Sequence, residues 1–416
     1  MKTPRAAALL AGALAACASR RPVPAPPTPA PCVDRATRSG FPVATPDEAG
    51  LHADALRTLV ANARASGSHA VVIVRDGRLA VEEYFGGRPH PICAMSVSKS
   101  VAQLAVGVMV REVRANLDER MSRTFRAWRD DRRKDKVTLR HLLTHTSGLD
   151  VTRAAWWRGE TTEQTLTRAP MHHEPGMDFR YNNAAVDFVS VFVRARMRMH
   201  LDDLLQREVF GPIGVRGAHW QKDPMGHPMA AGELFIEPVE LAKVGQLMLQ
   251  DGVWGGRRIL PPGWVARSTE PGQPFTESCG LLWWLHAPRR WALRDDLLAS
   301  WDEAGVPMAV QSRVLPLVGR PFDSADSLAR SRDALLTPDQ RRELPRALRP
   351  QRVESARVTL TGPVDAYYAN GWVGQWVVVV PSRRIVAVRM RDASPQDRND
   401  SSAHEYGRFL DDVLAL

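Results

Sequence analysis

A serine and a lysine three residues apart form the part of this sequence best able to do chemistry. If residue 96 begins a helix, Ser96 and Lys99 share one face, and the apolar residues that follow have helical spacing. A serine hydroxyl is a weak nucleophile until a neighbouring base takes its proton. Only six of the 56 basic residues are lysines, and lysine, unlike arginine, can lose its proton in a buried site. The pair predicts an activated nucleophile, although alone it is also typical of an ordinary surface helix.

A tyrosine and an asparagine further along the chain could serve this serine. Tyr181 and Asn183 alternate to the same side of an extended turn that follows Pro175-Gly176. A tyrosine hydroxyl can relay protons beside a lysine, and a carboxamide can hold both a lysine and a substrate carbonyl. Taken alone, the Tyr-x-Asn pattern is more typical of a turn whose tyrosine only packs.

A glycine-containing stretch near the C-terminus leads into an apolar strand predicted from residue 376. Gly371 and Gly374 would allow a ligand to approach backbone N–H groups closely. Two such groups aimed at one oxygen form an oxyanion hole. By itself this stretch is more typical of a plain β-turn.

The elements that must position these residues follow a simple order along the chain. Hairpins are predicted at residues 70–85, around an Asp-Gly turn, and at 376–390, and a closing helix is predicted at 402–416. The region between the hairpins reads as mostly helical. Residues 286–362, rich in arginine and acidic residues, read as a helical insertion. This order predicts an α+β fold whose sheet is built from both ends of the chain.

Taken together, the three motifs and their order become specific. The succession Ser-x-x-Lys, Tyr-x-Asn and a glycine-containing strand motif resembles the serine β-lactamase and penicillin-binding protein superfamily. The Tyr-x-Asn form is similar to the class C branch, which includes class C β-lactamases, D-alanyl-D-alanine carboxypeptidases, family VIII esterases and 6-aminohexanoate-dimer hydrolases. The resemblance covers residues 41–285 and 368–416. It implies one β-lactamase-like domain over residues 40–416, with an antiparallel sheet, flanking helices and an inserted all-helical lobe.

The resemblance also implies a role for each motif residue. Ser96 would be the nucleophile, Lys99 its general base, and Tyr181 a partner in proton transfer to the leaving group. Asn183 would orient Lys99 and the substrate, and the N–H groups of Ser96 and Trp372 would form the oxyanion hole. The family chemistry implies no metal and no organic cofactor, and a lone histidine at 145 is expected to be structural.

The third motif departs from the family pattern in a way that bears on substrate. The family usually has Lys-Thr-Gly or His-Thr-Gly there, and this chain has Ala369-Asn370-Gly371. Alanine cannot bind a substrate carboxylate, a loss of about 1.5–3 kcal/mol for a charge-assisted contact. The pattern of Gly371, Gly374 and Gln375 resembles the esterase and 6-aminohexanoate-dimer hydrolase side, and Gly371 and Gln375 are therefore expected at the substrate.

An ester or amide hydrolase acting on a small molecule or peptide is therefore the expected function. A D,D-peptidase or weak β-lactamase is the alternative among enzymes. The alternative from another class is a binding or sensor protein of the same fold that acylates without turnover. The natural substrate and the oligomeric state stay open.

The N-terminus reads as a bacterial export signal followed by an anchor. Residues 1–16 combine a basic start with a short apolar stretch, and the LAAC sequence that ends at Cys17 resembles a lipoprotein signal. That resemblance implies cleavage before Cys17, its lipidation, and a protein held at the periplasmic face or cell envelope. An ordinary secretory signal is the alternative. Residues 17–39, with six prolines between 20 and 32, would form a semi-rigid tether.

Charge and cysteine content exclude other classes of protein. The formal net charge is +10, but the arginines are scattered without an interleaved aromatic patch, so nucleic-acid binding is not expected. Besides Cys17, three cysteines remain (Cys32, Cys93 and Cys279), so at least one thiol stays unpaired within the chain. Buried free thiols are expected at Cys93 and Cys279. Zinc-protease, redox and α/β-hydrolase motifs are absent from the sequence.

Overall fold

The computed structural model describes residues 39–151, 159–393 and 406–416. The predicted signal at 1–16, the lipidation site Cys17, Cys32 and all but the last residue of the 17–39 tether lie outside these residues. Within them the chain folds as the α+β protein that the sequence predicts. None of the described helices has the length and apolar character needed to cross a bilayer.

The main sheet has six antiparallel strands in the order β2-β1-β13-β12-β11-β8, so both ends of the chain supply it as predicted. Short pairs and a small three-stranded sheet, β3-β5-β4, lie elsewhere. The strands are β1 (Ala70–Arg75), β2 (Arg78–Tyr84), β3 (Ile92–Cys93), β4 (His219–Trp220), β5 (Leu234–Ile236), β6 (Val253–Trp254), β7 (Arg257–Arg258), β8 (Trp284–His286), β9 (Arg289–Ala292), β10 (Arg357–Leu360), β11 (Ala366–Gly371), β12 (Gln375–Val380) and β13 (Ile385–Met390).

Turn chemistry accounts for both hairpins. Asp76 and Gly77 connect β1 to β2 with φ of 53° and 72°, the left-handed pair that a two-residue hairpin turn requires and that Asp-Gly adopts readily. Strands β12 and β13 pair from Val380 opposite Ile385 to Trp376 opposite Arg389. Both predicted hairpins are therefore confirmed.

The helices pack on both faces of the sheet and form the lobe between its two halves. They are α1 (Ala53–Ala65), α2 (Val97–Arg111), α3 (Leu139–Leu143), α4 (Thr162–Arg168), α5 (Asn183–Met197), α6 (Leu201–Leu205), α7 (Pro238–Leu249), α8 (Trp264–Ser268), α9 (Asp295–Glu303), α10 (Met308–Val314), α11 (Ala325–Leu335), α12 (Pro338–Gln351) and α13 (Phe409–Leu414).

Helix α2, which begins directly after Ser96, runs through the middle of the molecule. The sequence predicts one apolar stripe on it, but every residue from Val97 to Met109 is buried. The polar positions on its other face carry small or fully buried side chains, such as Ser98 and Gln103, so other helices pack there too. The start of α2 is therefore fixed from all sides.

The segment predicted as a helical insertion at 286–362 has its own hydrophobic cluster. Strands β9 and β10 pair antiparallel, and helices α9 to α12 lie between them in the sequence. Trp301, which is fully buried, lies in a cluster with Leu297 and Leu344 that is separate from the central core. Thr337 caps α12 through the capping box that the sequence indicates.

The closing helix is shorter than predicted. The sequence predicts helix over 402–416, but within the described residues the helix spans only Phe409–Leu414. Tyr406 has a φ of 47°, which is outside the right-handed helical region, so the helix cannot extend through it. Residues 394–405 lie outside the described part of the chain.

Candidate active site

Ser96 and Lys99 face each other at the first turn of α2. Ser96 is the N-cap residue, and Lys99 Nζ lies 2.8 Å from Ser96 Oγ. The lysine is buried and also donates to the carbonyl oxygen of Ala231 at 2.5 Å. Asp187, fully buried on α5, accepts a hydrogen bond from the N–H of Ala231 at 2.7 Å. Asp187 thus holds the loop that holds the lysine.

Tyr181 completes a cluster around the Ser96 hydroxyl. The Tyr181 hydroxyl donates to Ser96 Oγ at 3.0 Å. Lys99 Nζ lies 4.9 Å from the centre of the Tyr181 ring, and Trp284 stacks on that ring with centroids 6.4 Å apart. The side chains of the Ser-x-x-Lys and Tyr-x-Asn motifs therefore meet at the Ser96 hydroxyl, and Lys99 and Trp284 both pack near the phenol ring.

His145 lies beneath Tyr181 and is electrically neutral. Its ring centroid is 4.4 Å from that of Tyr181, and its Nδ1 accepts a hydrogen bond from the backbone N–H of Asn182 at 3.1 Å. Burial lowers the pKa of His145 to about 3, and the positive charges of Lys99 and Arg352 act in the same direction. His145 therefore supports the backbone next to Tyr181 without adding charge beside Lys99.

Asn183 is the first residue of helix α5, directly after the residue that caps it. Asn182 caps α5, because its Oδ1 accepts from the N–H of Ala185 at 3.2 Å and its Nδ2 donates to Leu149 O at 2.8 Å. The chain enters the helix directly after this cap, which makes Asn183 the first helical residue. Its carboxamide oxygen is buried and accepts no hydrogen bond from any described residue, so no hydrogen bond joins this oxygen to Lys99.

Gly371 touches the backbone of the Ser96 turn. A Cβ atom at Gly371 would lie 2.8 Å from the carbonyl oxygen of Ala94 and 2.9 Å from the backbone nitrogen of Ser96. Such distances are too short for any side chain, which explains the glycine. Ser96, Gly371 and Trp372 line one cavity of about 380 Å³. The backbone amides of Ser96 and Trp372 thus belong to residues on the same cavity wall.

The turn after Gly371 is held by a buried arginine. Val373 has a φ of 59°, and Arg389, fully buried on β13, donates to its carbonyl oxygen at 2.8 Å and also to that of Gly374. Ser68 Oγ accepts from the same guanidinium at 2.7 Å. Arg389 therefore fixes the path of the chain directly after the residue proposed to supply an oxyanion-hole amide.

Gln375 is not brought to the cavity. Its side chain is fully buried, with Nε2 donating to the carbonyl oxygen of Arg391 at 2.5 Å and Oε1 accepting from the N–H of Arg391 at 3.0 Å. Both ends of the carboxamide are used to join β12 to the chain beyond β13. The expectation that Gln375 contacts substrate is not met by this placement.

Aromatic residues that sequence reasoning did not assign to the site form much of the cavity wall. Trp284 and Trp376 line it together with Trp372, and the exposed Asn370 lies at the same opening. Ala369 is buried at the floor. The described lining includes no arginine. The twelve tryptophans of the chain could have indicated an aromatic site. That three of them meet at this cavity depends on strand pairing that the motifs did not show.

The insertion is bonded to the segment that carries Tyr181. Arg357 on β10, whose side chain is fully buried, donates to Asp178 at 2.8 Å and to Asp296 on α9 at 2.9 Å. Arg180 donates to the other oxygen of Asp178 at 3.2 Å and to Glu303, the last residue of α9, at 3.1 Å. Sequence reasoning missed this network, which fixes the residues immediately before Tyr181.

The two described cysteines, Cys93 and Cys279, are buried free thiols, as expected. Burial raises the pKa of the Cys279 thiol to about 12. Cys279 lies at the floor of the site, near Lys99 and His145. A thiol with so high a pKa is not a competing nucleophile at neutral pH.

A family model described as Beta-lactamase matches residues 53–409. Among solved structures, a candidate 6-aminohexanoate-dimer hydrolase from Bacillus anthracis has a TM-score of 0.57 at 16% identity, covering 86% of this chain and 81% of that one. EstCE1, a hydrolase with promiscuous acyltransferase activity, has a TM-score of 0.56 at 16% identity over 87% and 96%. A penicillin-binding protein from Bacillus halodurans has a TM-score of 0.54 at 14% identity over 86% and 99%. A comparison with curated proteins found no match.

Proposed function

Because this chain belongs to the β-lactamase family of serine hydrolases, we propose that it hydrolyses an ester or amide through an acyl-enzyme on Ser96. The observation that carries the proposal is the Ser96 hydroxyl, which lies within hydrogen-bond distance of both Lys99 Nζ and the Tyr181 hydroxyl. A nucleophile within reach of its base, with the base held by a third group, is the arrangement that activated serines share.

The proposed reaction has two halves, acylation of Ser96 and hydrolysis of the acyl-enzyme, and Lys99 and Tyr181 transfer protons in both. Ser96 Oγ attacks the substrate carbonyl carbon and its proton passes to Lys99, which acts as the base in its deprotonated form, while the N–H groups of Ser96 and Trp372 hold the oxyanion. Collapse of the tetrahedral intermediate breaks the ester or amide bond, and the leaving group takes a proton through Lys99 and Tyr181. Water, deprotonated by the same pair, then attacks the acyl carbon, the bond to Ser96 Oγ breaks, and Ser96 Oγ takes that proton back as the acid leaves.

The cavity favours an acyl group without a carboxylate. Three tryptophan side chains line it, and no arginine is among its described lining residues. Ala369, where the family has lysine or histidine, is buried. Binding a substrate carboxylate in such a cavity would leave its charge unpaired, which is costly. These features support ester or amide hydrolysis over D,D-peptidase or β-lactamase activity.

Labelling with a fluorophosphonate, followed by turnover assays, tests this proposal. The chain should be labelled and should hydrolyse a p-nitrophenyl ester faster than nitrocefin, whereas Ser96→Ala should lose both labelling and turnover. Ser382→Ala, which removes an exposed serine in the β12–β13 turn, is the matched control and should keep both. Labelling without turnover would favour the sensor alternative, and faster nitrocefin hydrolysis would favour the β-lactamase alternative.

We also propose that the protein is exported and anchored through a lipid on Cys17. The support is the sequence of residues 1–17 and the proline-rich stretch behind it. Growth of expressing bacteria with a labelled fatty acid should yield a labelled protein in the membrane fraction, and Cys17→Ala should remove the label. An unlabelled soluble protein would instead indicate an ordinary secretory signal.

A further inference from the structure

Two histidines and an aspartate from three separate segments meet near one end of the main sheet. His69 directly precedes β1, His90 lies in the connection between β2 and β3, and Asp392 follows β13. One potential ligand atom from each lies within 4.8 Å of the others. His69 Nδ1 is 3.4 Å and His90 Nε2 is 3.2 Å from Asp392 Oδ2. None of the three belongs to the cavity at Ser96.

Hydrogen bonds on the far side of each ring fix which nitrogen carries the proton. His69 Nε2 lies 3.2 Å and His90 Nδ1 lies 2.9 Å from the same carbonyl oxygen, that of Arg88. A carbonyl oxygen only accepts, so both of these nitrogens must donate an N–H. In the neutral rings, His69 Nδ1 and His90 Nε2 therefore present lone pairs toward the Asp392 carboxylate. Ring lone pairs and a carboxylate repel one another unless a proton or a metal cation lies between them.

The two nitrogen-to-oxygen distances suit a metal ion, and the two ring nitrogens lie within 4.8 Å of each other. Zinc bonds of about 2.0–2.1 Å to nitrogen and oxygen place the ligand atoms of a tetrahedral site about 3.3 Å apart. The nitrogen-to-oxygen distances of 3.4 and 3.2 Å are close to that value. They are longer than the 2.7–2.9 Å usual for a charged N–H group bound to a carboxylate. Ligating histidines also usually donate their second N–H to a carbonyl or carboxylate, as both do here.

Gly87 allows this arrangement to form. A Cβ atom at Gly87 would overlap carbon Cε1 of the His69 ring, so only glycine lets the loop close over the imidazole. The side chain of His69 is 11% exposed, whereas those of His90 and Asp392 are 44% and 55% exposed. The site is therefore anchored on the protein side and open to solvent on the other, where water can complete the coordination.

We propose that His69 Nδ1, His90 Nε2 and the Asp392 carboxylate bind a divalent transition-metal ion of the zinc class. Two imidazoles and a carboxylate are ligands that Zn²⁺ accepts readily. The ion joins the start of β1, the loop that leads to β3 and the Ser96 turn, and the chain beyond β13. Its role is to fix these three segments, and it does not depend on the proposed hydrolase function.

Metal titration of the untagged full-length chain, after treatment with a chelator, tests the proposal. One equivalent of Co²⁺ should bind and give visible absorption that Zn²⁺ displaces, and Zn²⁺ should raise the Tm by a few degrees. His90→Ala and Asp392→Asn should each weaken binding by about tenfold or more, since even the loss of an outer partner costs about 10–100-fold. Both positions are at least partly exposed, so the variants should fold.

A second histidine that contacts a single aspartate supplies the control. His172 Nε2 lies 2.9 Å from Asp150 Oδ1, and His172→Ala should leave the Co²⁺ titration unchanged. Equal binding by the unchanged chain, His90→Ala and Asp392→Asn would overturn the proposal. So would the absence of stoichiometric binding with either metal, because the cluster would then be an ordinary histidine–aspartate ion pair held by a proton.

Discussion

The Ser96 cavity has two walls: the Tyr181 wall, formed by the segment that carries Tyr181, and the Gly371 wall, formed by the turn after Gly371. A buried arginine supports each wall through a different kind of contact. Arg357 joins the insertion to the Tyr181 segment through the carboxylates of Asp178 and Asp296. Arg389 holds the turn after Gly371 through backbone carbonyl oxygens and serine side chains. Both side chains are fully buried. The same residue type thus serves as an ion-pair partner on one side and as a donor to neutral acceptors on the other.

The difference predicts how each wall fails. Burial lowers the pKa of Arg389, and the nearby charge of Arg391 acts in the same direction. Removing Arg389 leaves neutral acceptors without a donor. Removing Arg357 leaves carboxylates without their buried partner, which costs more. The bonds of Arg357 therefore stabilise the Tyr181 wall more than those of Arg389 stabilise the Gly371 wall. Loss of Arg357 should displace the segment that carries Tyr181.

The largest effect is expected from Arg357→Met. Loss of one partner from a buried ion pair destabilises a protein by about 3–5 kcal/mol. We expect the lower end, because Asp178 keeps Arg180 and Asp296 keeps Arg294. Denaturant unfolding measures the change, and kcat for an ester substrate should fall together with it because the segment before Tyr181 loosens.

A second substitution separates charge from packing at Arg357. Adding Asp178→Asn to Arg357→Met removes one of the carboxylates left behind, so it should restore part of the lost stability. Arg346→Met, at an exposed arginine on α12, is the matched control and should change the free energy of unfolding little. A double variant no more stable than Arg357→Met would show that packing, and not charge, is what Arg357 supplies.

Gly371→Ala tests the opposite wall without touching either arginine. The added methyl group would lie 2.9 Å from the backbone nitrogen of Ser96, so it must displace the amide proposed to bind the oxyanion. Loss of one such donor lowers kcat by about 100–1,000-fold, or about 2.7–4 kcal/mol. Gly407→Ala, in the same cavity but with nothing within 4 Å of the added Cβ, should have a much smaller effect. Similar losses in both variants would argue against the oxyanion-hole assignment.

Arg389→Met should cost less than Arg357→Met, at about 1–3 kcal/mol, since it leaves the buried carbonyl oxygens of Val373 and Gly374 without this donor. Denaturant unfolding again measures the change. A loss equal to or greater than that of Arg357→Met would invert the comparison and show that the carbonyl-bound wall is the stronger one.

Local chemistry explains what the sequence could predict. The Asp76-Gly77 hairpin depends only on the two residues of its turn, and Ser96 and Lys99 meet because residues three apart share a helix face. The sheet built from both ends of the chain followed from the order of the elements. By contrast, the closing helix was predicted too long, because the sequence did not indicate that Tyr406 has a φ of 47°, and the helix begins only at Phe409.

Contacts between distant segments explain what the sequence could not predict. Arg357 and Asp178 are 179 residues apart, and nothing near either residue indicates the other. Gln375 has the right place in its motif, but pairing with Arg391 turns its carboxamide away from the cavity. The cap at Asn182 is likewise a contact that the Tyr-x-Asn motif did not indicate, and it makes Asn183 the first helical residue.

Lowering the pH should weaken the Tyr181 wall and leave the Gly371 wall unaffected. His145 has a pKa of about 3 in the folded protein and about 6.5 when unfolded. Between these values the unfolded chain binds the extra proton, so the free energy of unfolding falls as the pH drops below about 6.5, by about 1.4 kcal/mol per pH unit. Above pH 6.5 the contribution of His145 is fully present.

His145→Asn isolates this contribution, because asparagine tolerates the left-handed φ of 57° at this position and can still accept from the N–H of Asn182. Other histidines titrate too, so the informative quantity is the difference in slope between the unchanged chain and the variant from pH 6.5 to 4.5. As the pH falls, the free energy of unfolding of His145→Asn should decrease less steeply than that of the unchanged chain, by up to about 1.4 kcal/mol per pH unit, which corresponds to one proton. His219→Asn, at an exposed histidine, should keep the slope of the unchanged chain. Identical slopes in all three proteins would mean that His145 takes up a proton in the folded state. Its place beside Lys99 and under Tyr181 would then have to accommodate a second positive charge, which burial in that position opposes.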